Sequence, residues 1–234
     1  MKSIRTLALV TGLLGLCSVA QAQFSSTWTA VSDYDFRGWS QSAKDPALQG
    51  SADYAFGDSG FAIGAWASSS IDFGDGNDAD IELDLYAGYT GTINDTFSWS
   101  FLANYYTYPS SDDTEDFLEV NVGFDAGNFG MKQWYSDDWL GSGISAWYTE
   151  ANYSQPIGES FSLDFHAGYS WGDAWEDFEM FDYSVALTYS FSNFSVFGKF
   201  TGTDASGDDK VTSDANNNEP RFLVGFSTTF PWGD

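Results

Sequence analysis

His166 is the one imidazole in a chain of 234 residues, so general-base chemistry near neutral pH would have to run through it. A lipid-cleaving site would need that base and a nucleophile together on a face that meets lipid. His166 stands between Phe165 and Ala167 in a stretch that alternates apolar with polar. Alternation turns Phe165 and Ala167 to the apolar side and His166 to the other, so the base points the wrong way. No second histidine completes a metal site, and no Gly-Lys-Ser phosphate loop occurs. The run Asp72, Asp75, Asn77, Asp78 and Asp80 offers oxygen ligands but lacks the ordered spacing and bidentate glutamate of an EF-hand. The expectation is therefore no enzyme, no cofactor and no dedicated metal centre.

The other ionisable residues make sense only on the elements that carry them. Residues 181–191 put Phe181, Tyr183, Val185, Leu187, Tyr189 and Phe191 on one face and Asp182, Ser184, Ala186, Thr188 and Ser190 on the other. A period of two marks a strand, and only Ser192 and Asn193 separate this run from the next, so the pair is an antiparallel hairpin. Its apolar face is aromatic at the ends and aliphatic in the middle. That grading suits a strand crossing a bilayer, where Tyr and Trp settle at the two interfaces.

The unit recurs. Alternating segments are predicted at 28–36, 47–56, 61–71, 81–92, 97–108, 117–125, 129–135, 145–153, 161–171, 181–191, 194–203 and 221–230. Most have the length of a tilted transmembrane strand, longer than the five or six residues of an ordinary soluble one. Tight turns at 57–60, 94–95, 127–128, 157–160 and 192–193 alternate with longer links at 37–46, 73–80, 109–116, 136–143, 172–179 and 204–220. With both termini on one side, every short turn falls on that side and every long loop on the other. The predicted fold is all-β, a transmembrane antiparallel β-barrel of about twelve strands with short periplasmic turns and longer extracellular loops.

Residues 1–22 read as a signal peptide: Lys2 and Arg5 lead, an apolar core spans 7–19, and Ala20, Gln21 and Ala22 form the cleavage site. Cys17, the only cysteine, lies within it and follows Leu16, where lipoprotein processing needs a small residue. Residues 23–234 are then one barrel domain without thiol chemistry. Losing Lys2 and Arg5 takes the net charge from −26 to −28. Such a chain repels phosphate, which argues against nucleic acid.

If the aromatic face meets lipid, the opposite face lines the interior. That assigns Asp33, Asp35, Arg37, Asp53, Glu82, Asp84, Glu119, Asn121, Asp125, Lys132, Asp164, His166, Asp182, Lys199 and Arg221 to the lumen. An acidic lumen favours cations. The remaining acid collects in the long links, where it is placed to meet lipopolysaccharide through bridging divalent cations. The alternative is a non-conducting structural or adhesion-type barrel whose acidic loops bind a partner or divalent cations.

Two stretches carry a family likeness. In 223–232, Val224, Phe226, Thr228, Phe230 and Trp232 share a face, which resembles the C-terminal signal read by the barrel-assembly machinery of outer membranes. Residues 32–68, S-D-Y-D-F-R-G-W-S-Q-S-A-K-D-P-A-L-Q-G-S-A-D-Y-A-F-G-D-S-G-F-A-I-G-A-W-A-S, resemble the TorF-type porin family of Gram-negative outer membranes. The resemblance implies a porin-like barrel in the bacterial outer membrane and assigns no site residue; the acid-lined interior adds the expectation that ions and small polar solutes pass by diffusion, weakly favouring cations.

Overall fold

A computed structural model describes residues 24–72, 79–109 and 116–232. The predicted leader and most of the acid-rich links at 73–80 and 109–116 lie outside these residues. Fourteen strands follow in order: β1 Phe24–Val31, β2 Asp35–Phe36, β3 Trp39–Ser40, β4 Ala47–Ala55, β5 Phe61–Ile71, β6 Ala79–Thr92, β7 Phe97–Thr107, β8 Phe117–Ala126, β9 Phe129–Ser136, β10 Ala146–Ile157, β11 Phe161–Trp171, β12 Met180–Phe191, β13 Phe194–Thr203 and β14 Arg221–Phe230. Twelve of them, β1 and β4 to β14, close into one antiparallel barrel, while β2 and β3 pair only with each other.

Closure is made by β1, which pairs with β14 on one side (Ser26 with Phe230 through Val31 with Gly225) and with β4 on the other (Phe24 with Tyr54 through Val31 with Ala47). A closed sheet leaves no edge, the only form in which strands cross hydrocarbon with every backbone group paired. The five tight turns, Phe24 and Trp232 gather at one end of the barrel, and the strand ends joined by the longer links lie at the other.

Side chains sort by parity. On β12, Phe181, Val185, Leu187, Tyr189 and Phe191 face out, and Asp182, Ser184 and Thr188 are buried inside. Among the described residues, no outward position of a barrel strand carries Asp, Glu, Lys or Arg. At the tight-turn end the outward rings touch one another, Phe61 on Tyr89, Tyr89 on Trp99, Phe161 on Tyr189 and Phe194 on Phe226. Such a ring of aromatics marks a membrane interface. Trp232 folds back onto this girdle, 5.4 Å from Phe194 and 4.7 Å from Phe230.

Two expectations need correction. The segment predicted at 28–36 does not run as one strand: β1 ends at Val31, and the chain leaves the wall there. The link 37–46 is not an outward loop either. Residues 32–46 turn into the barrel, because the charges on them find their partners on the inner wall.

Candidate functional site

The inturned segment is organised by the two-residue connection between β2 and β3. Arg37 and Gly38 both have positive φ (50° and 84°), the backbone that a tight hairpin of matching twist requires. Gly38 has no substitute there. An added Cβ would lie 2.5 Å from the Thr203 methyl and 3.0 Å from Asp182 Cβ, since the turn is pressed against β12 and β13.

The root of the hairpin is tied to one wall. Arg221 of β14 donates through Nε to Asp33 and through Nη2 to Asp35, and its Nη1 reaches the Gly38 carbonyl at 2.7 Å. Lys199 of β13 meets Asp35 at 2.6 Å, and Thr201 donates to the same carboxylate at 3.1 Å. Ser40 donates through its hydroxyl to Asp33 at 2.6 Å and through its backbone N–H to the Asn217 carbonyl at 2.8 Å, which joins the hairpin to the loop 204–220. On the outer part of that loop, the Lys210 ammonium donates to Glu219 at 2.7 Å and holds its carboxyl below the ordinary glutamate range.

From the turn the Arg37 side chain reaches the opposite wall. In the ring of strands β8 lies diametrically across from β14, and Arg37 closes an ion pair of 2.7 Å with Glu119 of β8. The guanidinium carbon lies 4.1 Å from the Tyr148 ring centre, 4.7 Å from Phe36, 5.1 Å from Trp139 and 5.8 Å from Trp134. All four are within cation–π range. The hairpin therefore spans the lumen as a strut, its acids on the basic wall and its base on the acidic wall. Around it Asp84, Glu119 and Asp182 are each 1% exposed and Asn104 is fully buried, so this half of the lumen is filled.

A second network runs along β9 to β12. His166 approaches Asp182 through Nε2 at 2.9 Å and Asn152 Oδ1 through Nδ1 at 2.7 Å. The Tyr148 hydroxyl meets His166 Nε2 at 3.0 Å and donates to Asp182 at 3.2 Å. Glu150 accepts from Trp134 Nε1 at 2.9 Å and pairs with Lys132 at 3.8 Å.

Toward the tight turns the acids Asp164 and Asp53 are held by hydroxyls, Asp164 buried and Asp53 half-buried. Asp164 accepts from Ser154, Ser162 and Thr188 at 2.5, 2.8 and 3.3 Å. Asp53 accepts from Ser51 at 2.8 Å and also from Tyr86. Asp125 is exposed at the mouth.

The fifteen residues assigned to the lumen thus fall in four groups. Asp33, Asp35, Arg37, Glu119, Lys199 and Arg221 build the strut. Asp182 and His166 join the β9–β12 network with Lys132. Glu82, Asp84 and Asn121 lie buried on the β6–β8 wall, and Asp53, Asp125 and Asp164 stand nearer the tight turns. Asp33 and Asp35 sit on the inturned segment, not on a wall strand as predicted. The assignment omitted Glu150 and the interior rings of Tyr86, Tyr106, Trp134 and Tyr148. Treating aromatics as outward hid them. The signal was parity: Tyr148, Glu150 and Asn152 alternate in step on β10 and face Trp134, Lys132 and Gly130 on β9.

Solved structures share this architecture. A KdgM porin aligns with a TM-score of 0.58 at 11% identity, over 88% of this chain and 99% of that one. A NanC porin aligns at 0.55 and 12%, over 88% and 98%. The Acinetobacter baumannii outer membrane protein Omp33 aligns at 0.50 and 13%, over 89% and 97%. At such identities the likeness is one of fold. No curated protein matches the sequence. Residues 18–230 match the family described as "Bacterial protein of unknown function (Gcw_chp)", and the chain belongs to that family.

Proposed function

We propose that the protein is an outer-membrane porin through which ions and small polar solutes diffuse, with a weak preference for cations. The observation that carries this reading is the acid of the inner wall held by hydroxyls, with Asp164 under three of them and Asp53 under two. Hydroxyl dipoles stabilise a carboxylate without cancelling its charge, so the field it presents to a passing ion persists. The porin-like fold and the resemblance of 32–68 to TorF-type porins support the same reading. So does the uncharged outward face, which suits hydrocarbon.

In this reading the tight turns are periplasmic and the long loops extracellular. Outer-membrane lipid and lipopolysaccharide surround the barrel, and the barrel-assembly machinery inserts it. Reconstitution in a planar bilayer under a potassium chloride gradient tests it: discrete steps whose reversal potential favours potassium are expected, and a preference for chloride overturns the selectivity.

The strut favours a second reading, a non-conducting barrel whose loops engage a partner. Its signature is silence in the bilayer at protein loadings where heat-modifiable mobility proves the barrel folded.

A further inference from the structure

The strut's tip occupies a receptor that the wall and the β9–β10 connection, which carries Trp139, build without it. Glu119 is oriented by the Tyr106 hydroxyl, which donates to it at 3.0 Å. Trp134 is fixed by its bond to Glu150, Tyr148 by its contacts to Asp182 and His166, and Trp139 by packing on Phe117 at 4.9 Å. Each member of the cage thus has an anchor other than Arg37. Three aromatic faces and a carboxylate converging on one point make a binding site for a desolvated cation. Its planar ring faces and single carboxylate suit a guanidinium better than a compact, strongly hydrated ammonium. Arg37 enters from a separate segment, on a residue of positive φ that side chains other than glycine adopt at a cost. It fills the cage as a tethered ligand would.

From this we infer that the cage of Glu119, Trp134, Trp139 and Tyr148 is a binding site for small organic cations bearing a guanidinium head, with Arg37 as its built-in competitor. The inference rests on the cation-passing reading and names the solute class for it. A guanidinium compound that takes the cage displaces the tip of the strut, so the same contact that selects the solute loosens the obstruction. Apparent affinity is weakened by the fraction of time Arg37 holds the site.

The test uses the full barrel in detergent, with methylguanidinium chloride as probe and tryptophan emission as readout, sodium chloride holding the ionic strength constant. Arg37→Ala, with the cage vacated, is expected to show saturable quenching at a concentration at least tenfold below that needed by the unsubstituted protein, roughly the value of one cation–π contact in a desolvated site. Arg37→Ala/Glu119→Gln is expected to lose it. Heat-modifiable mobility checks that each variant is folded, and Arg37→Gln, which keeps a long side chain in the turn, serves if Arg37→Ala is not. Equal quenching in the single and double variants, or quenching by sodium chloride alone, overturns the inference. A cation-selective channel without saturable binding sinks the cage and leaves the porin; saturable binding by a silent barrel does the reverse.

Discussion

Arg37 and Glu119, 82 positions apart in the chain, meet at 2.7 Å on the far side of the barrel from the wall that anchors Arg37's own hairpin. Both side chains are buried, at 8% and 1% exposure. The pair is thus a bolt across the lumen, and removing one half leaves a charge stranded among rings. Breaking a buried pair this way costs about 3–5 kcal/mol. Glu119→Ala is expected to lower the urea midpoint of the barrel in detergent accordingly. Glu119→Gln, which still accepts hydrogen bonds from Tyr106 and Arg37, is expected to cost less than half as much. Equal losses would mean that the charge of Glu119, and not the hydrogen bonds it accepts, carries the whole contribution.

The anchoring end makes a graded prediction. Arg221 holds Asp33, Asp35 and the Gly38 carbonyl, whereas Lys199 holds Asp35 among the residues of the hairpin. Arg221→Met is therefore expected to release residues 32–46 more completely than Lys199→Met. The measure is limited proteolysis of the folded protein together with single-channel conductance, both rising in the order unsubstituted, Lys199→Met, Arg221→Met. The reverse order would place the main tether on β13.

Gly38→Ala isolates the seat of the hairpin from its charges. The new methyl meets Thr203 at 2.5 Å in a backbone region that side chains avoid, φ being 84°. Strain of this kind costs on the order of 1–3 kcal/mol. The wall pairs stay chemically intact, so the variant is expected to fold as a barrel yet show a strut that is cleaved more readily. Gly38→Ala/Thr203→Gly removes the closest clash but neither the 3.0 Å approach to Asp182 Cβ nor the φ penalty, and should recover part of the protection. Full recovery would attribute the whole effect to crowding.

The architecture was legible in the sequence because one rule, apolar side chains outward and polar ones inward, repeats along every barrel strand. Residues 181–191 and 194–203 alternate without a break, and β12 and β13 follow them closely. The strut was not legible. Asp33 and Asp35 continue the alternation of Trp28 to Phe36, so nothing local distinguishes a strand from a chain that has left the wall. What turns it inward is a set of partners at Glu119, Lys199 and Arg221, fixed only once the barrel closes. The inner rings escaped for a related reason. An aromatic facing a wet lumen needs a polar neighbour for its N–H or O–H, as Trp134 has in Glu150 and Tyr148 has in Asp182, and those neighbours sit on other strands.

The outward face offers the sharpest check on the membrane assignment. Leu187 lies midway along β12, 50% exposed and pointing away from the lumen, with Val185 and Tyr189 on the same side. An arginine there must leave its charge in hydrocarbon if the barrel spans a bilayer, at about 2–4 kcal/mol near the midplane and about 0–1 kcal/mol near an interface. Leu187→Arg is expected to shift the unfolding equilibrium in lipid vesicles by the larger amount, and Phe191→Arg, beside the Ser192–Asn193 turn, by the smaller. In a water-soluble barrel both substitutions would be nearly silent, because an exposed arginine on a solvated strand disturbs little. A depth-dependent penalty on one strand, measured at two positions of the same parity, therefore separates a face that meets lipid from one that meets water.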